Sequence, residues 1–307
     1  MPIPAPEAVD DHGALAATKA RQVRDLPRYL FLSALAGAYV GVAVVLMVSV
    51  SAPLVEAGSG FAKVTQGAVF GVALTLVVFA GSELFTGNAM FMLQGWWQRT
   101  VTPLDLTLVW LASLVGNIGG SVAFAAIVHG GGTLAGPGAG LVGSITAAKD
   151  AASGTQLFWR AVLCNALVCL ALWMAARTRS DGAKLAVLWW GLLAFIGSGF
   201  EHSVANATVF SLGALEGSIG WAALARNLAW TVPGNIVGGG LVIGVGYAWV
   251  AHRRALRSAL RSGHLQGAEV AAPGNGADGG AQRAELGPQA ADRGLGGVAV
   301  DAVADQG

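Results

Sequence analysis

Glu201 and His202 stand side by side inside an apolar run covering 185–212. An ionisable residue at bilayer depth is costly and is a functional candidate by default. An imidazole, with an unperturbed pKa near 6.5, can change charge at working pH. His202 is therefore the sharpest candidate for handling a small anion or its proton. A second carboxylate, Glu83, lies in another long apolar run, 61–93, three positions before Thr86, whose hydroxyl can meet an anion or, equally well, bond a nearby carbonyl. Asn117, Asn165 and Asn235 are amides inside apolar runs, where bridging helices is the commoner use. Lys149 lies in a loop and suits the attraction of anions to a mouth.

These residues repeat. Glu83 and Asn88 have the spacing of Glu201 and Asn206, and each pair is followed by a Gly-Asn-Ile at 116–118 and 234–236. One offset of 118 positions maps Glu83, Asn88 and Asn117 onto Glu201, Asn206 and Asn235. The chain reads as a duplication whose halves meet around a polar site. The two carboxylates occupy equivalent places and read as structural, accepting hydrogen bonds from amides that a broken helix leaves orphaned.

The elements that must hold them are membrane helices. Of 307 residues, 54% are hydrophobic and 11% charged, with mean hydropathy +0.61. Soluble domains carry about 25% charged residues. Apolar runs cover 29–51, 61–93, 104–128, 157–176, 185–212 and 224–250. A crossing needs about 20 residues, so the expectation is an all-α protein with six spans. The second and fifth runs are too long for one straight helix and hold the Glu-x-x-x-x-Asn stretches. Interruptions at corresponding points of two halves mark a transport site. Gly81, Gly87 and Gly199 are the candidates for special backbone angles there. Three spans per half make the repeat one of inverted topology, about 29–128 and 157–250. Helix N-termini at the breaks favour a small anion.

Lysine and arginine bias places both ends in the cytoplasm. Lys19, Arg21, Arg24 and Arg28 close a polar leader over 1–28, and Arg253, Arg254, Arg257 and Arg261 follow the last run. The channel domain is expected over 29–261, and an Ala/Gly-rich disordered tail over 262–307. Trp96, Trp97, Trp159, Trp189 and Trp221 fall near span ends, as an interfacial belt does. A net charge of +1 gives no basic field for nucleic acid. Cys164 and Cys169 read as small core residues. No metal-ligand cluster, nucleophile elbow or Walker motif is present in the sequence, and no cofactor is expected.

GSELFTGN at 81–88, GFEHSVAN at 199–206, LVGN at 114–117 and PGNIVGG at 233–239 resemble the formate/nitrite transporter family. The segment 164–210 is most similar to its nitrite branch, and the resemblance spans about 26–250. It implies an aquaporin-like fold with helices two and five broken, and a homo-pentamer in the bacterial inner membrane with one pore per protomer. Thr86 and His202 would face each other across that pore. Phe70, Leu74, Leu84, Phe85 and Phe195 would form the constrictions. Asn165 and Asn235 would be pore asparagines, and Lys149 a vestibule lysine. The substrate would be nitrite, with formate or hydrosulfide as alternatives. His202 would either bind the anion or protonate it so that a neutral acid crosses. A neutral-solute channel of aquaporin type would instead show paired Asn-Pro-Ala stretches, which this sequence lacks. An intramembrane enzyme using Glu201 and His202 would need a third polar partner in the same half-span, which the sequence does not offer.

Overall fold

The computed structural model describes residues 2–252, all of whose regular structure is helical. The expected tail, and Arg253 onward, lie outside the described residues. Among the described residues, five helical stretches are long and apolar enough to cross a membrane: Leu26–Glu56, Ala62–Phe79, Pro103–Gly130, Gly154–Ala176 and Trp221–His252. The exposed indoles of Trp96, Trp97, Trp159 and Trp221 sit near the ends of helices, whereas Trp189 falls at the middle of the helix Asp181–Gly197.

The first half comprises α1 (Ala5–Gln22), α2 (Leu26–Glu56), α3 (Ala62–Phe70), α4 (Val72–Phe79), α5 (Phe85–Trp97) and α6 (Pro103–Gly130). The second comprises α7 (Pro137–Asp150), α8 (Gly154–Ala176), α9 (Asp181–Gly197), α10 (Ser203–Leu215) and α11 (Trp221–Asn235), which runs on through a π-helical stretch, Ile236–Val245. The apolar run 61–93 holds α3 and α4, a non-helical stretch at 80–84, and most of α5. The run 185–212 is likewise two helices, α9 of 17 residues and α10 of 13, parted at 198–202. Gly81 and Gly199 take φ +72° at the two partings. That left-handed angle costs a residue with a Cβ, which is why glycine stands at both. Gly87 instead lies within α5.

Close crossings hold the halves together in the same way. α2 packs on α6, and α8 on α11 and the π-helical stretch. A Cβ at Gly120 would collide with the backbone of Ala34, and one at Gly238 with the backbone of Val162. Small residues let helix backbones approach this closely without a hydrophobic drive between them.

Two shorter helices have no counterpart in the apolar runs. The polar leader is α1, which buries Ala5, Ala8, Val9, His12, Ala16, Lys19 and Ala20 on one face, the 3–4 spacing of an amphipathic helix. The glycine-rich loop after α6 ends in α7, which begins at Pro137 and carries Lys149 in its last turn. Proline at a helix start forfeits only an amide that would be unpaired anyway.

Candidate functional site

The two partings are built alike, bond for bond. The Glu83 amide donates to Leu32 O and the Glu201 amide to Arg160 O, both at 3.3 Å. Asn117 Oδ1 accepts from the Phe85 amide at 2.8 Å, while its Nδ2 donates to Glu83 O and Ser33 O at 2.8 and 2.7 Å. Asn235 Oδ1 accepts from the Ser203 amide at 2.9 Å, and its Nδ2 donates to Glu201 O and Ala161 O at 3.0 and 2.8 Å. Each asparagine thus caps the helix that restarts and pins the carbonyl just before it.

The amides of Phe85 and Ser203, which open α5 and α10, therefore go to asparagine side chains, whereas the sequence reading assigned such amides to the glutamates. The carboxylates meet stronger donors. Lys19 Nζ from α1 lies 2.7 Å from both oxygens of Glu83, with Tyr29 Oη at 2.9 Å and Asn88 Nδ2 at 3.1 Å. Lys149 Nζ from α7 lies 2.7 Å from Glu201 Oε2, and Asn206 Nδ2 also 2.7 Å. Asn206 donates on to Asn227 Oδ1 at 2.9 Å. α1 and α7 thus play matching parts, each bringing one lysine to one buried carboxylate. An isolated buried charge is far costlier than a paired one.

The two restarting helices meet at their N-termini. Thr86, in the first turn of α5, places Oγ1 3.2 Å from His202 Nε2, and both residues are buried. His202 is the N-cap of α10: the Ala205 amide donates to its Nδ1 at 3.2 Å. That bond fixes the ring's roles. Nδ1 is an acceptor, so in the neutral ring the hydrogen sits on Nε2, aimed at Thr86. Phe195 stacks on the imidazole at 5.8 Å between centroids, and Phe70 meets Phe195 edge-on at 5.7 Å. Leu74 and Leu84 line a cavity of about 360 Å³ that reaches Lys19, His12, Asn88 and Phe91 on the α1 side. Phe85 is buried at the start of α5. Asn165 is fully buried and donates to backbone carbonyls of Thr86 and Asn235.

Residues 6–249 match the sequence model of the family described as formate/nitrite transporter. The chain belongs to that family. Its members are transporters and channels, not enzymes, and with its long apolar helices the chain is a multi-pass membrane protein. It is 42% identical over 232 residues to the nitrite transporter NirC of Salmonella typhimurium, covering 74% of this chain and 84% of that one. Among solved structures, an FNT family ion channel superposes with TM-score 0.74 at 39% identity, covering 80% of this chain and 98% of that one. A pentameric formate channel with formate bound superposes with TM-score 0.65 at 27% identity, covering 75% and 98%. The formate/nitrite transporter motifs are thus carried on a helical fold that this family's channels share.

Sequence reasoning left out Lys19 as a site residue, along with Tyr29 and Asn227. For Lys19 a signal existed: it falls in register with His12, Ala16 and Ala20 on the buried face of α1. Tyr29 and Asn227 carried none, since a tyrosine or an amide near a span end has many uses.

Proposed function

We propose that this chain carries a small monovalent anion, nitrite first, through a pore in each subunit of a homo-pentamer in a bacterial inner membrane. In this reading α9 and α10 together make a sixth crossing, the halves are inverted, and both termini are cytoplasmic. The path runs from the cavity beside Lys19, past Leu84 and Leu74, to Thr86 and His202, then past Phe70 and Phe195 toward Lys149. Similarity to NirC supports nitrite, and the solved channel with formate bound makes formate the competitor.

The observation that carries the reading is the Thr86–His202 contact where two helix N-termini converge. An anion leaving water for apolar rings loses its hydration, at several kcal/mol or more. Hydrogen-bond donors held in place offset that loss. Here they are His202 Nε2–H, the Thr86 hydroxyl and the positive ends of α5 and α10. A second proton on the ring would have to sit on Nδ1 and break the α10 cap. His202 therefore acts as a hydrogen-bond donor to the anion rather than as the source of its proton.

The test is uptake of nitrite and of formate into liposomes holding the purified protein, at two pH values. His202→Phe removes Nε2–H and is expected to lower flux about 10- to 100-fold, the worth of one hydrogen bond to a charged group. Unaltered uptake of both anions by that variant would discard the reading.

A further inference from the structure

Asn165 of α8 lies wholly buried between the two halves. Its Nδ2 donates to Thr86 O at 3.0 Å and to Asn235 O at 2.7 Å. Both hydrogens of the amide are thereby used. Its Oδ1 accepts from Cys169 Sγ at 3.6 Å, and Cys169 Sγ also reaches Thr86 O at 3.3 Å. The amide keeps no donor for a ligand. What it grips is the backbone of the residue whose hydroxyl faces His202. Its other hydrogen ties that backbone to Asn235, which caps the helix His202 begins.

The repeat shows what this grip adds. Val204 lies 118 positions after Thr86 and is gripped from the other half by Ser121 of α6. Ser121 Oγ stands 3.4 Å from both Val204 O and Gly37 O. A hydroxyl has one hydrogen to divide between two carbonyls, and 3.4 Å is beyond the usual hydrogen-bond range. The Val204 side is held loosely. The Thr86 side, whose side chain faces His202, is held by one 3.0 Å bond from a planar amide whose second hydrogen goes to Asn235 O at 2.7 Å.

We propose that Asn165 is a positioning residue: it sets Thr86 Oγ1 against His202 Nε2 and does not itself touch the transported anion. This rests on the reading that the Thr86–His202 pair meets the anion. Gly239 offers a second handle. A Cβ there would collide with Asn165 Nδ2 and with Cys169 Sγ, which itself contacts Asn165 Oδ1. The atoms that must yield are the ends of side chains, so Gly239→Ala displaces the amide from its carbonyls while leaving Asn165 in the sequence.

The experiment is a nitrite concentration series in liposomes, compared at equal incorporated oligomer. It uses Asn165→Ala, Asn165→Leu, Gly239→Ala, Thr86→Val, and Thr86→Val combined with each of Asn165→Ala and Gly239→Ala. Every single variant is expected to lower flux about tenfold, the scale of one buried hydrogen bond. Asn165→Leu fills the same space without donors and is expected to match Asn165→Ala. Each double is expected to be no worse than Thr86→Val alone, because the amide acts through the hydroxyl. A further tenfold loss in the doubles, or wild-type flux in Asn165→Leu, overturns the inference and leaves the proposed function standing. Wild-type flux in Thr86→Val overturns the proposed function at this site, and the inference falls with it.

Discussion

A buried carboxylate answers to whatever cation can reach it. Glu201 is 2% exposed, and Lys149 Nζ sits 2.7 Å from its Oε2. Removing one member of such a pair is worse than removing both, since the survivor stays buried without its counter-charge. Lys149→Met leaves Glu201 with Asn206 alone and is expected to cost about 3 kcal/mol of stability. Lys149→Met combined with Glu201→Gln is expected to recover most of that. Thermal unfolding in detergent reads both, and equal melting of Lys149→Met and wild type would show that the pair adds nothing. The sequence exposed Glu83, Glu201 and His202 because charge is conspicuous in apolar runs. It did not reveal which groups cap the breaks. Asn117 is 32 positions from Phe85, and only the folded α6 brings its amide there.

At the scale of elements, α1 is held by its own polar bonds as well as by packing. His12 Nδ1 lies 2.6 Å from Gln94 Oε1, with its ring against Phe91 and Trp173. Around it, Lys19 lies over Phe91 and Arg177 over Trp173, with Asp11 beside it in the chain. Burial holds His12 below the ordinary imidazole range, and the Gln94 bond and Asp11 only partly offset it. The docked ring is neutral, while a released α1 takes a proton near the ordinary value of 6.5. Docking is therefore strongest above that value and weakens as pH falls below it. Hydrogen exchange of α1 amides, corrected for the intrinsic rate, is expected to speed up on acidification. His12→Gln is expected to remove that dependence, and a pH-independent wild type would refute the account. The long helices were legible because runs of about 20 apolar residues have few other readings. α1 and α7 were not: α1 is alanine-rich and studded with charges, and α7 is glycine-rich and only 14 residues long, so neither gives a hydropathy signal. The amphipathic spacing of α1 was there, but its buried face is mostly alanine, which contrasts weakly with its surroundings.

At the scale of the whole molecule, the matching contacts of the two halves give a controlled comparison. Asn117 and Asn235 do the same work in the two halves: each caps one amide and pins two carbonyls, at distances that agree within about 0.2 Å. Orphaning a buried amide costs about 1–3 kcal/mol. Asn117→Ala and Asn235→Ala are therefore expected to lower thermal stability alike, each by about 2 kcal/mol. Their effects on transport should part. Asn117 caps α5 at Phe85, one residue before Thr86, while Asn235 fixes the carbonyl of Glu201 and the amide of Ser203, the two neighbours of His202. With the imidazole as the central donor, loss of Asn235 loosens it from both sides and is expected to lower nitrite flux several-fold more than loss of Asn117, at matched stability. Equal flux in the two variants would mean that the halves contribute equally to the anion's path. The weight placed on the His202 side would then be misplaced, even with the symmetric scaffold intact.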